Sequence, residues 1–498
     1  MTVLENLLGG FAVALSPVNL IAALAGAVLG TLVGVLPGIG PIASMSLLIP
    51  LTFAMDPTTA IIMLAGIYYG AMYGGSTTAI LINVPGESTS VITAIDGYQL
   101  ARQGRAGTAL AVGSYVAGTI SVAGLMLLAP VLALAALEFG PPEYFALIVF
   151  GFVVLSRLAR GSPLKALLMG LLGLMLSTVG MEPVTGYQRY VFGTLHLLGG
   201  VDFVPVVMGL FGVAEILWLA SAAVPPAPVR HVRFAELWPR AEEWRRSVAP
   251  WLRGGVIGFL IGIVPGPAAI LAPLASYAVE KRLARRPEEF GRGAIEGVAG
   301  PEAANNAATG GAFVPLLALG IPFAPATAVL LGALMIHGIR PGPLLMQQRP
   351  ELFWGVVASM YLGNLMLLVL NLPLVGVFAS ALRIPRPYLL SSVLVLTIVG
   401  AYSVNNAFAD VWILLAFGVV GYLMRLFDFD PAPLVLALVL GPMLETSFRQ
   451  SLIMARGDAF IFVERPLSAA FLALAALLLI GQLVAAWRAR GAAEAKSS

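Results

Sequence analysis

The sequence predicts an all-α protein that crosses a membrane many times. Hydrophobic residues make up 59% of the 498 residues and charged residues only 11%, whereas a soluble protein has about 25% charged residues. The mean hydropathy is +0.94, and apolar runs recur along the whole chain. Some runs are shorter than the roughly 20 residues of a full span, which favours half-helices or re-entrant hairpins beside about ten to twelve true crossings.

A glycine-rich stretch occurs twice in one register, which indicates that the chain contains two copies of one unit. Each copy has three glycines at four-residue intervals, followed by a Pro-Gly pair. The first copy comprises Gly26, Gly30, Gly34, Pro37 and Gly38, and the second comprises Gly254, Gly258, Gly262, Pro265 and Gly266. Every member of the second copy lies 228 residues after its counterpart.

The pattern of this stretch predicts a tightly packed helix that is then broken. Glycines four residues apart lie on one helix face, where another backbone can approach closely. The Pro-Gly pair stops the helix, because proline lacks an N–H and glycine tolerates a positive φ. In lipid, a broken helix is tolerated only where it is buried in protein or lines a wet cavity. A broken apolar helix in each half of a chain is typical of a transporter binding site. The alternative is two helix-packing faces with ordinary ends.

The repeat and the polar segments divide the chain into four parts. We expect a first repeat at residues 1–140, connecting helices at 141–245, a second repeat at 246–380 and C-terminal helices at 381–498. A polar linker at about 223–251 carries more arginine than acidic residues, which places it in the cytoplasm. An odd number of crossings between the starts of the repeats would make them inverted, and we favour that arrangement.

A polar patch interrupts the apolar sequence of the first repeat. Its candidate substrate-binding residues are Gly74, Gly75, Ser76, Thr77, Thr78 and Asn83, followed by a helix break at Pro85 and by Glu87. The glycines would bring backbone N–H groups close to a ligand, and a helix starting near Ser76 would direct its positive end at an anion. Glu87 would be costly at membrane depth and is therefore a candidate coupling residue. In the alternative, the hydroxyls merely bond back to helix carbonyls.

A second patch occupies the matching place in the second repeat. Its candidate binding residues are Asn305, Asn306, Thr309, Gly310 and Gly311, with a helix break at Pro322. The uncharged amides and hydroxyl suit a carboxylate or Na⁺, and the Gly-Gly pair could open a half-helix. The alternative is that the asparagines only cap helices. Glu302 is either the acidic member of a cation or proton site or part of a cytoplasmic loop. Because the patches match, we expect them to face one another at one site.

Other polar residues carry weaker signals. Asp96 and Arg102 lie in a loop-like sequence, and His337 and Arg340 lie at the equivalent place of the second copy. We expect no metal site and no cofactor beyond Na⁺ as a coupling ion, because the three histidines are scattered and cysteine is absent. No phosphate-binding loop motif occurs, and a net charge of +3 does not argue for nucleic acid. An enzyme therefore has little support.

Four segments carry a resemblance to a known family: GTLVGVLPGIGP (30–41), YGGSTTAILINVPGE (73–87), GIVPG (262–266) and GPEAANNAATGGAFVPLLALGIP (300–322). They resemble the large membrane subunit of the tripartite tricarboxylate transporters, the TctA family. The resemblance covers essentially the whole chain. It implies a multi-pass protein of the bacterial inner membrane and secondary import of citrate-like tri- or dicarboxylates, driven by a Na⁺ or H⁺ gradient. It also implies two partners, a small membrane subunit and a periplasmic solute-binding protein. A homodimer is left open.

On this basis we expect the two repeats to form the binding site at mid-membrane. Serine, threonine and asparagine side chains of the two patches would touch substrate or ion, and backbone N–H groups would bind the carboxylates. Alternating access would come from one part moving past another, as in an elevator. The rival hypotheses are a carboxylate channel without ion coupling and a membrane-embedded enzyme.

Overall fold

The computed structural model describes residues 2–36, 40–83, 87, 89–105, 111–158, 162–182, 185–221, 241–266, 268–380 and 385–497. The predicted helix breaks at Pro37, Gly38 and Pro85 lie outside the described residues, as does most of the predicted linker, at 222–240.

The described residues are mainly helical. The first half contains α1 (Val3–Ala14), α2 (Pro17–Gly34), α3 (Pro41–Leu48), α4 (Pro57–Ile82), α5 (Val91–Arg102), α6 (Ala111–Ala136), α7 (Pro141–Leu158), α8 (Pro163–Ser177), the short strands β1 (Gly180–Met181) and β2 (Gln188–Arg189), α9 (Phe203–Val207) and α10 (Ala214–Ser221). The second half contains α11 (Ala241–Ile263), α12 (Ala268–Leu283), α13 (Glu296–Leu319), α14 (Pro325–Ile336), α15 (Leu345–Gln348), α16 (Pro350–Ser380), α17 (Arg386–Asn405), α18 (Phe408–Leu426), α19 (Ala432–Met454), α20 (Ile461–Glu464) and α21 (Pro466–Ser497).

Among the described residues, six helical stretches are long and apolar enough to cross a membrane. They are Pro17–Gly34, Val112–Ala136, Phe203–Ser221, Pro350–Asn371, Phe408–Leu426 and Ala432–Met454, and seven shorter apolar helices accompany them. The predicted fold class, an all-α multi-pass membrane protein, is therefore confirmed. The number of crossings stays a prediction.

The chain forms two compact units. The first comprises Met1–Leu134, Val204–Val264 and Ala268–Leu423, and the second comprises Ala135–Phe203, Pro265–Pro267 and Met424–Ser498. In the second unit, α8 packs on α19, where Gly173 lies against the backbone carbonyl of Leu434. Arg189 of β2 pairs with Glu445 of α19 at 2.9 Å, which ties the strand to that helix.

In the first unit, α2 and α4 pack backbone to backbone. A side chain at any of the three repeated glycines of α2 would strike a carbonyl oxygen of α4; the pairs are Gly26 with Met63, Gly30 with Ile67 and Gly34 with Ala71. The α4 residues Gly66, Gly70 and Gly74 approach α2 in the same way. Glycine is required at this interface because no Cβ fits between the two backbones.

The helices α11 and α13 make the matching contacts. Here the pairs are Gly254 with Gly300, Gly258 with Ala304 and Gly262 with Ala308. In each pair the α13 partner lies 237 residues after the α4 partner. In the same register, Gly74 corresponds to Gly311, and the left-handed residue Asn83, which ends α4 at φ 56°, corresponds to Gly320, which ends α13 at φ 73°. The contacts therefore align Gly74 with Gly311, whereas matching the two Gly-Gly pairs by sequence aligns Gly74 with Gly310.

The ends of these helices fall near the other expected breaks. α11 ends at Ile263, two residues before Pro265, and Gly266 has a φ of 134° that favours glycine. Non-helical backbone that contains Pro322 separates α13 from α14. Residues 241–251, the last part of the predicted linker, form the first turns of α11, and Trp251 is buried.

Candidate functional site

The site lies in the first unit, where α4 and α13 pass each other in opposite directions. Near one end, the ring of Tyr69 stacks on that of Phe313, with centroids 6.1 Å apart. Near the other, Ser76 lies beside the carboxylate of Glu302. Residue numbers therefore rise along α4 as they fall along α13, and the two polar patches meet side by side.

The hydroxyl patch of the first repeat lies in the interior of α4. Ser76, Thr77 and Thr78 are buried, and the helix continues to Ile82. Thr77 Oγ1 donates to the carbonyl of Tyr73 at 3.0 Å, and Thr78 Oγ1 donates to that of Gly75 at 3.0 Å. The expected helix start at Ser76 is therefore wrong, and the back-bonding alternative describes both threonines. Only Ser76 of the three hydroxyls has no hydrogen-bond partner among the described residues.

The four glycines serve packing in this structure. Gly74 lies against α2 and Gly311 against α11. A side chain at Gly75 would meet Glu87, and one at Gly310 would meet Ser121 of α6. The expectation that these glycines offer free N–H groups, or that Gly310 opens a half-helix, is wrong, because helix-interior N–H groups already bond to the carbonyl one turn earlier.

Glu302 lies in the second turn of α13 and is fully buried, which excludes the cytoplasmic-loop alternative. Its Oε1 accepts hydrogen bonds from Ser114 Oγ of α6 at 2.9 Å and from Asn306 Nδ2 at 3.0 Å. Its Oε2 accepts from Thr93 Oγ1 of α5 at 3.3 Å. Three helices therefore converge on one carboxylate.

The other members of the second patch surround this carboxylate. Thr309 Oγ1 donates to the carbonyl of Asn305 at 3.2 Å, which is another back-bond. Asn305 Nδ2 approaches Glu87 Oε1 at 3.4 Å, and Glu87 is 8% exposed. Asn305 thus joins the second patch to Glu87, while Asn306 joins it to Glu302. Asn83 is exposed at the end of α4.

Several buried polar atoms in this region have no hydrogen-bond partner within the part of the chain that the structure describes. They are Tyr69 OH, Tyr73 OH, Ser76 Oγ, Glu87 Oε2, Thr89 Oγ1, Asn305 Oδ1 and Asn306 Oδ1. Buried polar groups are normally satisfied, and each exception requires an explanation. Such a concentration in apolar surroundings is the arrangement that a polar ligand would complete.

Sequence reasoning missed the roles of Thr93, Ser114 and Tyr73. Each is an uncharged polar residue within a helix, and no local pattern in the sequence marks it as part of a site. It also misplaced Asp96, which lies in α5 and is fully buried. Asp96 Oδ1 accepts from the backbone N–H groups of Gly291, Gly293 and Ala294 at 2.8, 2.8 and 3.0 Å. The loop assignment failed because Asp96 lies within α5 and its buried carboxylate binds backbone N–H groups of a segment about 195 residues further along the chain.

Ion pairs connect α11 to the helices around it. Arg105 pairs with Glu243 at 2.5 Å, and Arg253 pairs with Glu280 at 2.5 Å. Arg246 contacts both Glu289 and Glu296 at 2.7 Å. The hydrogen bond from Arg246, together with one from Arg286, lowers the pKa of Glu289 below its ordinary value although partial burial opposes this shift.

The remaining candidates lie elsewhere. His337 caps the end of α14 and its Nε2 is 3.2 Å from Thr52 Oγ1, while Arg340 is exposed. The described residues contain no group of three or more histidine or acidic side chains that could hold a metal ion.

Comparison with known proteins identifies the family. The model of the tripartite tricarboxylate transporter TctA family matches residues 20–436. This range includes both polar patches and the glycine contacts of the two helix pairs, α2 with α4 and α11 with α13. The chain belongs to this family. It is thus a large membrane subunit of a tripartite tricarboxylate transporter, and family membership implies a small membrane subunit and a periplasmic binding protein as partners.

Two proteins of Agrobacterium vitis are similar to this TctA-family chain. One is an uncharacterized 52.8 kDa protein in the TAR-I ttuC' 3' region, 50% identical over 478 residues and 95% of each chain. The other is an uncharacterized protein in the TAR-II ttuC' 3' region, 46% identical over 233 residues, which cover 47% of this chain and 96% of the relative. No solved structure matches the chain.

Proposed function

We propose that this chain forms the transport path of a binding-protein-dependent importer of tri- or dicarboxylates in the bacterial inner membrane, driven by a Na⁺ or H⁺ gradient. One observation carries the proposal: the unpartnered polar atoms of α4 and α13 are buried together in a chain of the TctA family. A transporter needs such a site near the middle of its spans, where a polar group without a function would only be costly.

The arrangement of α4 and α13 supports an inverted repeat. The two helices occupy equivalent places in the register set by their glycine contacts. They nevertheless run in opposite directions where they pass at Tyr69 and Phe313. Inverted repeats place a binding site at the interface between equivalent elements, which is where the two patches meet. Alternating access by movement of one part past the other, as in an elevator, is part of the same proposal.

The candidate substrate-binding residues fall into two groups, according to whether their side chains already have a hydrogen-bond partner. Asn305 and Ser76 have unpartnered oxygen atoms, and the Asn305 amide also reaches Glu87. Thr77, Thr78 and Thr309 have hydroxyls that already donate to their own helices. We therefore assign polar contact with substrate chiefly to Asn305, and a supporting place to the three threonines; Ser76 lies on the Glu302 side of the patch.

Uptake by proteoliposomes tests this proposal. They would contain the chain with its small subunit and binding protein, with labelled citrate and a panel of di- and tricarboxylates outside. We expect accumulation that needs both the binding protein and an imposed gradient. Asn305→Ala should reduce uptake by about five- to 150-fold, as loss of a buried polar contact of about 1–3 kcal/mol does, whereas Thr77→Val should retain most of it. Equilibration without a gradient would indicate a channel, and no flux of any carboxylate would contradict the proposal.

A further inference from the structure

We propose that Glu302, Asn306, Ser114, Ser76 and Tyr73 bind a monovalent hard cation, Na⁺, at a site separate from the carboxylate contacts of Asn305. This inference rests on the proposed function for its purpose, which is coupling, and on side-chain geometry for its location.

The charge of Glu302 requires compensation. The carboxylate is 0% exposed, and its hydrogen-bond partners among the described residues are all neutral: Ser114, Asn306 and Thr93. A buried carboxylate without a counter-charge is unfavourable by several kcal/mol or more. The group must therefore carry a proton or lie beside a cation.

The neighbouring oxygen atoms favour a cation over a proton. Asn306 Nδ2 donates to Glu302, while Asn306 Oδ1, at the other branch of the same amide, has no partner in the described structure. Ser76 Oγ and Tyr73 OH are buried beside Glu302 and Ser114 respectively, and neither makes a hydrogen bond of good geometry to a described residue. A proton on Glu302 would satisfy at most one of these atoms, whereas a bound cation would take several as ligands at once.

The donor set indicates the class of cation. All the candidate ligand atoms are oxygens, from one carboxylate, one amide and three hydroxyls. Oxygen ligands select hard cations over transition metals, which prefer nitrogen or sulfur. The site itself contributes one carboxylate, which balances a single positive charge; Glu87, the other buried carboxylate of the region, contacts Asn305 instead. Ser114 Oγ donates to Glu302 and accepts from Asn306 Nδ2 at 2.9 Å, so it lies between two of the other proposed ligands.

The position of the site explains how an ion could influence the substrate. Asn305 and Asn306 are consecutive residues of α13, and they contact Glu87 and Glu302 respectively. A cation at Glu302 would draw α4, α6 and α13 together through Ser76, Ser114 and Asn306. That would fix the rotation of α13 and hence the place of the Asn305 amide. Binding of the ion and of the carboxylate would then be mutually favourable.

The test measures binding of radioactive Na⁺ to the purified full-length chain in detergent, without partner subunits and without any carboxylate. We expect saturable binding by the wild type. Glu302→Gln and Asn306→Leu should weaken it by at least about tenfold, as loss of one ligand or its orienting partner does at metal sites. The control Glu351→Gln removes an exposed carboxylate at the start of α16 and should bind Na⁺ as the wild type does.

Size-exclusion chromatography separates loss of the site from loss of the fold. If Glu302→Gln aggregates, binding of Na⁺ by Ser76→Ala tests the site instead, because this variant removes one proposed ligand and keeps the hydrogen bonds from Thr93, Ser114 and Asn306 to Glu302. Wild-type Na⁺ affinity in Ser76→Ala and Asn306→Leu, or no Na⁺ binding by the wild type, would overturn the inference. Because no carboxylate is present, Na⁺ binding without carboxylate uptake would refute the proposed function and leave the cation site standing.

Discussion

The carboxylate of Asp96, on α5, accepts a hydrogen bond from the hydroxyl of Tyr277, on α12, over 2.9 Å. The same carboxylate accepts three backbone N–H groups from the loop that precedes α13. One buried side chain thus ties α5 to both ends of the α12–α13 connection. Helix α5 also contributes Thr93, which donates a hydrogen bond to Glu302. The Asp96 contacts therefore hold in place one of the helices that form the candidate site.

Replacing Asp96 by Asn should destabilise the protein. The variant keeps the size of the side chain but turns one oxygen into an N–H₂ group that faces hydrogen-bond donors. We expect a loss of about 1–3 kcal/mol of stability, the usual effect of leaving buried donors unsatisfied. Thermal unfolding in detergent measures it as a lower Tm. Asp428→Asn, at an exposed position, is the matched control, and an equal Tm in the two variants would refute the structural role of Asp96.

The glycine contacts predict opposite effects for two Gly-to-Ala substitutions in helices. At Gly258 the new methyl group would strike the carbonyl oxygen of Ala304, whereas at Gly9 nothing lies within 4 Å. Gly258→Ala should cost about 1–3 kcal/mol through overpacking. Gly9→Ala should raise stability by about 0.5–1 kcal/mol, because alanine restricts the unfolded chain. Urea-dependent or thermal unfolding of both variants checks the sign, and a stabilised Gly258→Ala would show that the two backbones are not in contact.

The ion pair between Arg246 and Glu289 predicts a pH-dependent contribution to stability. Arg246 lowers the pKa of Glu289 in the folded protein, so the contribution is complete above the ordinary glutamate pKa of about 4.3. It is lost as the pH falls from there through the lower folded-state pKa. Since both side chains are partly exposed, it should amount to less than about 1 kcal/mol.

Glu289→Gln tests this contribution. The variant should have a lower Tm than the wild type at pH 7, and the difference should shrink as the pH falls below 4. Glu288→Gln, at an exposed neighbouring position, should show no such dependence. A Tm difference between Glu289→Gln and wild type that grew on acidification would contradict the assigned direction of the pKa shift.

The sequence predicted the helix packing better than the site chemistry, for a physical reason. The contacts of Gly30 and Gly258 depend on helical periodicity, and glycines spaced four residues apart in the sequence predict that they share one helix face. The hydroxyl of Thr77 could serve a ligand or its own helix, and only the observed bond to Tyr73 decides between them. The place of Ser114 beside Glu302 depends on residues 188 positions apart, which no local pattern encodes.

The proposed inversion of the repeats predicts that equivalent loops lie on opposite sides of the membrane. Ala54 precedes α4 and Arg285 precedes α13, and both are exposed. The chain has no cysteine, so Ala54→Cys and Arg285→Cys each introduce a single thiol without background labelling. The basic residues around Arg285 place that loop in the cytoplasm. A membrane-impermeant maleimide added to intact spheroplasts should therefore label Ala54→Cys and spare Arg285→Cys until the membrane is permeabilised. Labelling of both from the same side would mean that α4 and α13 enter the bilayer in the same direction, and the inverted repeat would have to be abandoned.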